Sequence, residues 1–304
     1  MSLLWGIDLG GTKIEGVVLG DDGPTNPLAR VRIDTEADGG YTHIVSRIAA
    51  LLRELEGAVG AKPNAVGVGT PGSRNPATGL MRNCNTTCLN GQPLLDDLIA
   101  ALGMPVVLAN DADCFALAEA KWGAGRGYSS VFGVIMGTGV GGGLVVNELL
   151  IKGANGIAGE WGHNVLDPDG PLCYCGKRGC VETFLSGPAN EREFASRTGR
   201  SERLREIVEL ASSGDAEAST QVELLFRRFG QAIAVVINII DPHVIVLGGG
   251  VGQVPGLLTF GREATRSWVF CDAFETPFRL PELGDSAGVF GAAQLVADPV
   301  STTR

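Results

Sequence analysis

A strand, a glycine-rich turn and a return strand occur twice in this chain at one constant offset. The first copy is Leu4–Leu19, with Trp5 and Ile7 in the leading strand, Asp8-Leu9-Gly10-Gly11-Thr12-Lys13 as the turn, and Val17-Val18-Leu19 returning. The second has Val131–Met136 as its apolar strand, Gly137-Thr138-Gly139-Val140-Gly141-Gly142-Gly143 as its turn, and Leu144-Val145-Val146 returning. Gly6, Gly10 and Gly16 fall on Gly133, Gly137 and Gly143. A repeat at half-chain spacing predicts two related domains.

The remaining segments alternate in kind. Tyr41 to Glu56 carries Ile44, Ile48, Leu51, Leu52 and Leu55 on one helical face. Ala65–Gly69 and Pro105–Ala109 read as buried strands, the second running into Asn110-Asp111. Cys114 to Lys121 is helix-like, and further helices are expected at Ala189–Arg197, Glu202–Ser212 and Thr220–Ile240. Pro242 ends the last of these, and the strand Val244–Leu247 opens onto Gly248-Gly249-Gly250. Ala287 to Ala297 reads as a closing helix. Strands alternating with helices predict an α/β class with largely covered sheets.

With 304 residues, 44% hydrophobic and 19% charged, the chain has ample core for a globular protein. A net charge of −10 argues against nucleic acid as the main partner, which would want a basic face. No apolar stretch reaches membrane-spanning length and no signal peptide is visible, so a cytoplasmic location is expected. Seven cysteines with metal-type spacing suit a reducing compartment better than a disulfide framework. Four of them, Cys84, Cys88, Cys114 and Cys271, are expected to be small buried hydrophobes.

Glycine turns let backbone N–H groups close on an anion with no Cβ in the way. This chain has three, Asp8–Lys13, Gly137–Gly143 and Gly248–Gly250. Two facing domains need such turns to clamp a polyphosphate. Thr12 and Thr138 add hydroxyl donors. Asp8 has Ile135 as its repeat partner, so the carboxylate is peculiar to the first copy. Phosphates repel a carboxylate unless a cation lies between them, so Asp8 implies Mg²⁺ held through water; the competing role is turn capping. Asn110-Asp111 sits at the end of a buried strand, where open α/β sheets place ligands. Asp111 could deprotonate a hydroxyl attacking phosphorus. It could instead cap the following helix, a task for which Asp113 competes.

The run G-E-W-G-H-x9-C-x-C-x4-C-x-E supplies a third signal. His163, Cys173, Cys175 and Cys180 make a full tetrahedral set for Zn²⁺, using one of only three histidines in the chain. Scattered core residues are the alternative, but three cysteines within eight positions are not a core pattern. A closed four-ligand set leaves no position for water, so the metal is expected to be structural. Glu160 and Glu182 flank the ligands, so the loop would hold two carboxylates in fixed places.

The turns D-L-G-G-T-K and G-T-G-V-G-G-G, the N-D-A-D segment and G-E-W-G-H…C-Y-C-G-K-R-G-C-V-E appear in the order found in the ROK family. Across essentially its whole length the chain resembles these bacterial sugar kinases, repressors and uncharacterised open reading frames. A-G-E-W-G-H-N and T-T-C-L-N-G-Q-P-L look most like the fructokinase/mannokinase branch, with N-acetylglucosamine kinases and glucokinases close behind. The resemblance implies an actin/hexokinase/Hsp70-like (ribonuclease H-like) fold of two α/β domains with a central cleft. Residues 1–112 plus 288–304 would form the N-terminal domain, with the first phosphate turn and part of the sugar site. Residues 113–287 would form the second, with the zinc loop, the second turn and the adenosine site.

The resemblance further implies ATP-dependent phosphorylation of a hexose, fructose first, at the 6-hydroxyl. The alternative is an N-acetylglucosamine, N-acetylmannosamine or glucose kinase. Asp111 would be the general base. Gly72, Asn85, Asn110, Asp111, Glu160, His163 and Glu182 would surround the sugar. One ring nitrogen of His163 would ligate zinc while the other reaches a sugar hydroxyl. Asp8, Gly10, Gly11, Thr12, Lys13, Gly137, Thr138 and Gly139 would line the phosphates, and Gly249 and Gly250 the adenosine. Family members are commonly homodimers. Two departures stand out: Asp113 where N-D-A-N is usual, and Cys88 where many members carry Trp.

Rival functions are weaker. A sugar-sensing repressor would carry a helix-turn-helix ahead of the first turn, whereas seven residues precede Asp8 here. A non-catalytic sugar binder or a chaperone-like ATPase would have no need of Asp111 together with Glu160, His163 and Glu182.

Overall fold

A computed structural model describes residues 3–297. The chain opens with strands β1 (Leu4–Leu9), β2 (Lys13–Leu19) and β3 (Ala29–Asp34), then helix α1 (Tyr41–Val59) and strand β4 (Val66–Thr70). A short hairpin, β5 (Ser73–Arg74) and β6 (Met81–Arg82), leads to α2 (Leu94–Leu102), β7 (Val106–Asn110) and α3 (Asp111–Trp122). Strands β8 (Ser130–Met136), β9 (Val140–Val146) and β10 (Leu149–Leu150) follow. After the cysteine loop come α4 (Glu182–Leu185), α5 (Gly187–Thr198), α6 (Leu204–Ser212) and α7 (Ala216–Ile240). The chain closes with β11 (Val244–Gly248), α8 (Gly249–Gly252), α9 (Arg262–Arg266), β12 (Phe278–Arg279) and α10 (Ala287–Gln294).

Two compact units result. The first comprises the chain up to Arg126, Glu148–Ala158 and the chain from Glu282 onward; the second is Gly127–Asn147 with Gly159–Pro281. A boundary at residue 112 would cut α3 in its first turn. The unit instead keeps α3 whole, because its buried face, including Cys114, packs on α10.

In the first unit the sheet order is β3-β2-β1-β4-β7, with β1 antiparallel to β2 and parallel to β4, and β4 parallel to β7. Side chains alternate across β1 with period two. Trp5, Ile7 and Leu9 join a core with Ile44, Ile48, Leu51 and Leu55 of α1. Gly6 and Asp8 face the other way, toward α10. That helix lies so close that a Cβ on Gly67 of β4 would come within 1.8 Å of the Ala292 carbonyl oxygen. Glycine is therefore the price of contact between α10 and the sheet. Helix α1 runs three residues past Glu56, to Val59, before Gly60 stops it at φ +71°, donating its N–H to the Glu56 carbonyl at 2.8 Å.

In the second unit β9, β8, β11 and β12 lie side by side; β8 pairs antiparallel with β9, and β11 is parallel to both β8 and β12. Phe132, Val134, Met136, Ile245 and Leu247 pack against Leu225, Phe229, Ile233, Val236 and Ile237 of α7.

The repeat holds through the leading strands but slips at the turns. Gly6 pairs with Val17, whereas Gly133 pairs with Gly143, one residue earlier than the offset predicts. The first turn closes with Gly10 N–H donating to Lys13 O at 3.0 Å, the second with Gly137 N–H donating to Gly139 O at 2.9 Å. The second is one residue tighter.

Candidate functional site

In the first unit, strands β1, β4 and β7 bring their carboxyl ends together, with Asp8 opposite Gly69 and Thr70 opposite Asn110. Turn one is pinned from β3: the Thr35 hydroxyl donates to Gly10 O at 2.7 Å and Thr35 N–H to Thr12 O at 2.9 Å. Gly11, Thr12 and Lys13 are exposed at its tip. The Asp8 carboxylate sits between Gly69, Cys114 and α10, where a Cβ on Gly288 would lie 2.8 Å from Oδ2. Burial pushes its pKa from 3.8 to about 7, with the charges of Asp111 and Glu15 adding and Lys13 and Arg32 opposing. Burial also pushes the Cys114 thiol well up, helped by Asp8, Asp113 and Asp111.

Asp111 begins α3 and is exposed. The cap is Asn110, whose Oδ1 accepts from Ala112 N–H at 2.7 Å; Asp111 Oδ1 lies 2.8 Å from the same N–H. The competition expected between Asp111 and Asp113 is thus settled by a third residue. Helix α3 starts three residues ahead of Cys114, so Asp113 falls inside its first turn. Gly72 and Asn85 meet through their neighbours: Asn85 N–H donates to Pro71 O at 3.3 Å, and Cys84 Sγ would lie 2.6 Å from a Cβ on Gly72. The Thr70 hydroxyl bridges Gly72 O and Ala109 O, at 2.9 and 3.2 Å. The first unit therefore gathers Asp8, Gly10, Gly11, Thr12, Gly72, Asn85, Asn110 and Asp111 near the carboxyl ends of β1, β4 and β7.

In the second unit the turn Gly137-Thr138-Gly139 joins β8 to β9. Gly249 backs onto it, since a Cβ there would lie 2.2 Å from Met136 O, and Gly250 is exposed beyond. The segment Gly159–Asn164 lies along β9, with Trp161 buried, edge-on to Phe132, and its Nε1–H donating to Gly141 O at 2.9 Å. That anchors Glu160 and His163 on either side of a buried indole. Glu182 Oε2 accepts from Val140 N–H at 2.9 Å.

The four metal-type ligand atoms of His163, Cys173, Cys175 and Cys180 all lie within 4.8 Å of one another. His163 Nδ1 is 3.6 Å from Cys173 Sγ, and Cys175 Sγ is 3.6 Å from Cys180 Sγ. A tetrahedral Zn²⁺ with Zn–S of about 2.3 Å and Zn–N of about 2.05 Å has S···N and S···S edges of about 3.6 and 3.8 Å. The donor set fits zinc in type, and these two edges fit it in spacing; any wider pair, up to 4.8 Å, would close in by about 1 Å around the ion. With Nδ1 turned inward, Nε2 points out and meets the Tyr174 hydroxyl at 3.0 Å. Tyr174, which ligand spacing alone does not single out, thus occupies the nitrogen expected to face a sugar. Of the other cysteines, Cys84 and Cys114 are buried as expected, Cys88 is half-buried, and Cys271 is exposed on the loop after α9.

Over residues 4–299 the chain matches the ROK family. The chain belongs to that family. An N-acetyl-D-glucosamine kinase of Pasteurella multocida is 35% identical, covering 96% of this chain and 98% of the relative. A ROK hexokinase structure from Thermus thermophilus superposes with a TM-score of 0.87 at 34% identity, covering 96% of each chain. A ROK glucokinase from Streptomyces griseus, solved with glucose and AMPPNP, superposes at 0.78 with 30% identity, covering 97% of this chain and 99% of that one. The fold is accordingly the actin/hexokinase-like α/β fold. These relatives give no support to the lean toward fructokinase/mannokinase, and the alternative reading fits their names better. Short motifs decide sub-branches poorly, because hexoses differ by one or two groups. Among the described residues no helix is long and apolar enough to cross a membrane.

Proposed function

We propose that this protein is an ATP-dependent sugar kinase that transfers the γ-phosphoryl group to the 6-hydroxyl of glucose or an N-acetylhexosamine. The observation that carries the reading is the Asp8–Asp111 pair at the ends of β1 and β7, beside turn one. Asp111, exposed at the start of α3, takes the proton of the attacking hydroxyl as the new P–O bond forms and ADP leaves. A sugar hydroxyl is a very weak acid, so that proton moves late. Asp8 suits Mg²⁺ held through water, because burial and the charges of Asp111 and Glu15 leave its anion in want of a cation; the ion would neutralise phosphate charge.

Gly10, Gly11, Thr12 and Lys13 in the first unit, and Gly137, Thr138 and Gly139 in the second, are assigned to phosphate. Gly249 and Gly250 are assigned to adenosine. Gly72, Asn85, Asn110, Glu160 and Glu182 are assigned to sugar hydroxyls, each of which offers a donor and an acceptor; His163 would join them only with Tyr174 turned off its Nε2. Zn²⁺ on His163, Cys173, Cys175 and Cys180 would cross-link the loop that carries Glu160, His163 and Glu182, and so fix its sugar-binding groups. AMPPNP, bound by the Streptomyces griseus relative, is an ATP analogue and supports the choice of donor.

The test is ADP release from MgATP with glucose, N-acetylglucosamine, N-acetylmannosamine, fructose and mannose, using Asp111→Asn as control. Turnover that falls by orders of magnitude in the variant, with sugar binding kept, is expected. Near-normal turnover in Asp111→Asn would remove the base assignment, and preference for fructose would restore the branch suggested by T-T-C-L-N-G-Q-P-L. No turnover with any sugar would favour a sugar-binding protein.

A further inference from the structure

We propose that Glu182 is a positioning residue that holds the second glycine turn in its phosphate-receiving shape, and so ties a sugar-directed carboxylate to nucleotide affinity. The proposal rests on the kinase reading above. Three contacts within the second unit carry it. Glu182 Oε2 accepts from Val140 N–H at 2.9 Å, where the turn ends. The same oxygen would lie 2.7 Å from a Cβ on Gly139, so the carboxylate lies against the tip of the turn and a side chain there would displace it. At the other end of the turn Gly137 O accepts from Gly187 N–H at 2.8 Å.

Glu182 and Gly187 bracket the four-residue helix α4. One short segment therefore braces both ends of the turn, through a side chain at Val140 and a backbone amide at Gly137. A carboxylate accepting from a backbone amide makes a stronger bond than a neutral pair. Held this way, Val140 N–H is committed to Glu182 and does not serve phosphate. With Oε2 on Val140, Oε1 is the oxygen assigned to a sugar hydroxyl under the proposed function. A sugar on one oxygen and the phosphate turn on the other give substrate binding a direct route to the shape of the nucleotide site. Cys180, one of the metal-type ligands, stands two residues before Glu182, so the same brace is anchored in the cysteine loop.

The deciding experiment measures Mg·AMPPNP affinity by calorimetry, without sugar, for the wild type, Glu182→Gln and Glu182→Ala. Zinc content and circular dichroism serve as checks on the fold. Glu182→Ala is expected to weaken nucleotide binding about 5–10-fold, the loss of one ordering hydrogen bond. Glu182→Gln, whose amide oxygen still accepts from Val140, should stay within about twofold of the wild type. If Glu182 serves the sugar alone, Glu182→Ala raises the sugar KM and leaves nucleotide affinity unchanged, which overturns the proposal. Amide hydrogen exchange over Gly137–Val140 separates this proposal from the kinase reading. Should the wild type bind no AMPPNP, the kinase reading fails. Lost protection of Val140 N–H in Glu182→Ala, kept in Glu182→Gln, would still support the brace. Equal protection in all three proteins would overturn it.

Discussion

Replacing Asp8 with Asn should make the ligand-free protein more stable near pH 8 while removing its turnover. The Asp8 carboxyl moves from 3.8 to about 7 through burial first, then through the charges of Asp111 and Glu15. Its folded pKa lies above its unfolded one. The contribution to stability is therefore fully present below about pH 4 and is lost as the pH rises through about 7. At about 1.36 kcal/mol per pH unit, ionised Asp8 costs the fold about 4 kcal/mol at pH 8. Water reaches part of the side chain and screens the charge, which brings the expected cost to about 2–3 kcal/mol. Asn has nearly the same shape and cannot ionise, so the variant escapes the cost. Urea unfolding with EDTA present should show that gain at about pH 8, and a gap of under about 1 kcal/mol at about pH 4.5. The corresponding rise in Tm at the higher pH is about 3–5 °C. Equal stability at pH 8, or a gap that ignores pH, would refute the reasoning. A functional carboxylate that weakens its own fold is a familiar compromise at active sites.

Other expectations follow from single contacts. Glu119 is fully buried in α3 and accepts backbone N–H groups from Ala124, Glu282 and Leu283; Glu119→Ala should cost about 4 kcal/mol in urea unfolding, and a change under about 1 kcal/mol would count against that clamp. Gly288→Ala would place a Cβ 2.8 Å from Asp8 Oδ2, so kcat should fall at least about tenfold with the fold intact by circular dichroism; an unchanged kcat would show that Asp8 tolerates displacement. Cys175→Ser should lower zinc content, read by elemental analysis, and raise the sugar KM; if both stay at wild-type values, the structural-zinc assignment fails.

Much of the candidate site was legible because its signals are local. The glycine turns, the Asn110-Asp111 step at a strand end and the cysteine spacing each sit within a dozen residues or so, where period and ligand chemistry can be read directly. The cap of α3 is not legible in the sequence, because Asp111, Asp113 and Asn110 are all good caps and the choice depends on where β7 stops pairing with β4. The slip between the repeated hairpins is hidden for a similar reason. Aligned glycines do not report which carbonyl closes a turn.

By itself the sequence determined the α/β class, the doubled strand–turn–strand unit, the family and the metal-type quartet, since each follows from side-chain periodicity, backbone permissiveness or donor chemistry over short spans. Only the tertiary structure decided what crosses long spans. It brought Gly288 of α10 against Asp8, closed Glu119 over Glu282 and Leu283, and set Glu182 under the turn at Val140. Those partners lie about 40 to 280 positions apart in the sequence. Nothing local in the chain marks one as the complement of the other. Their meeting is fixed by how helices settle on a twisted sheet, and there a missing Cβ or one buried carboxylate selects the arrangement.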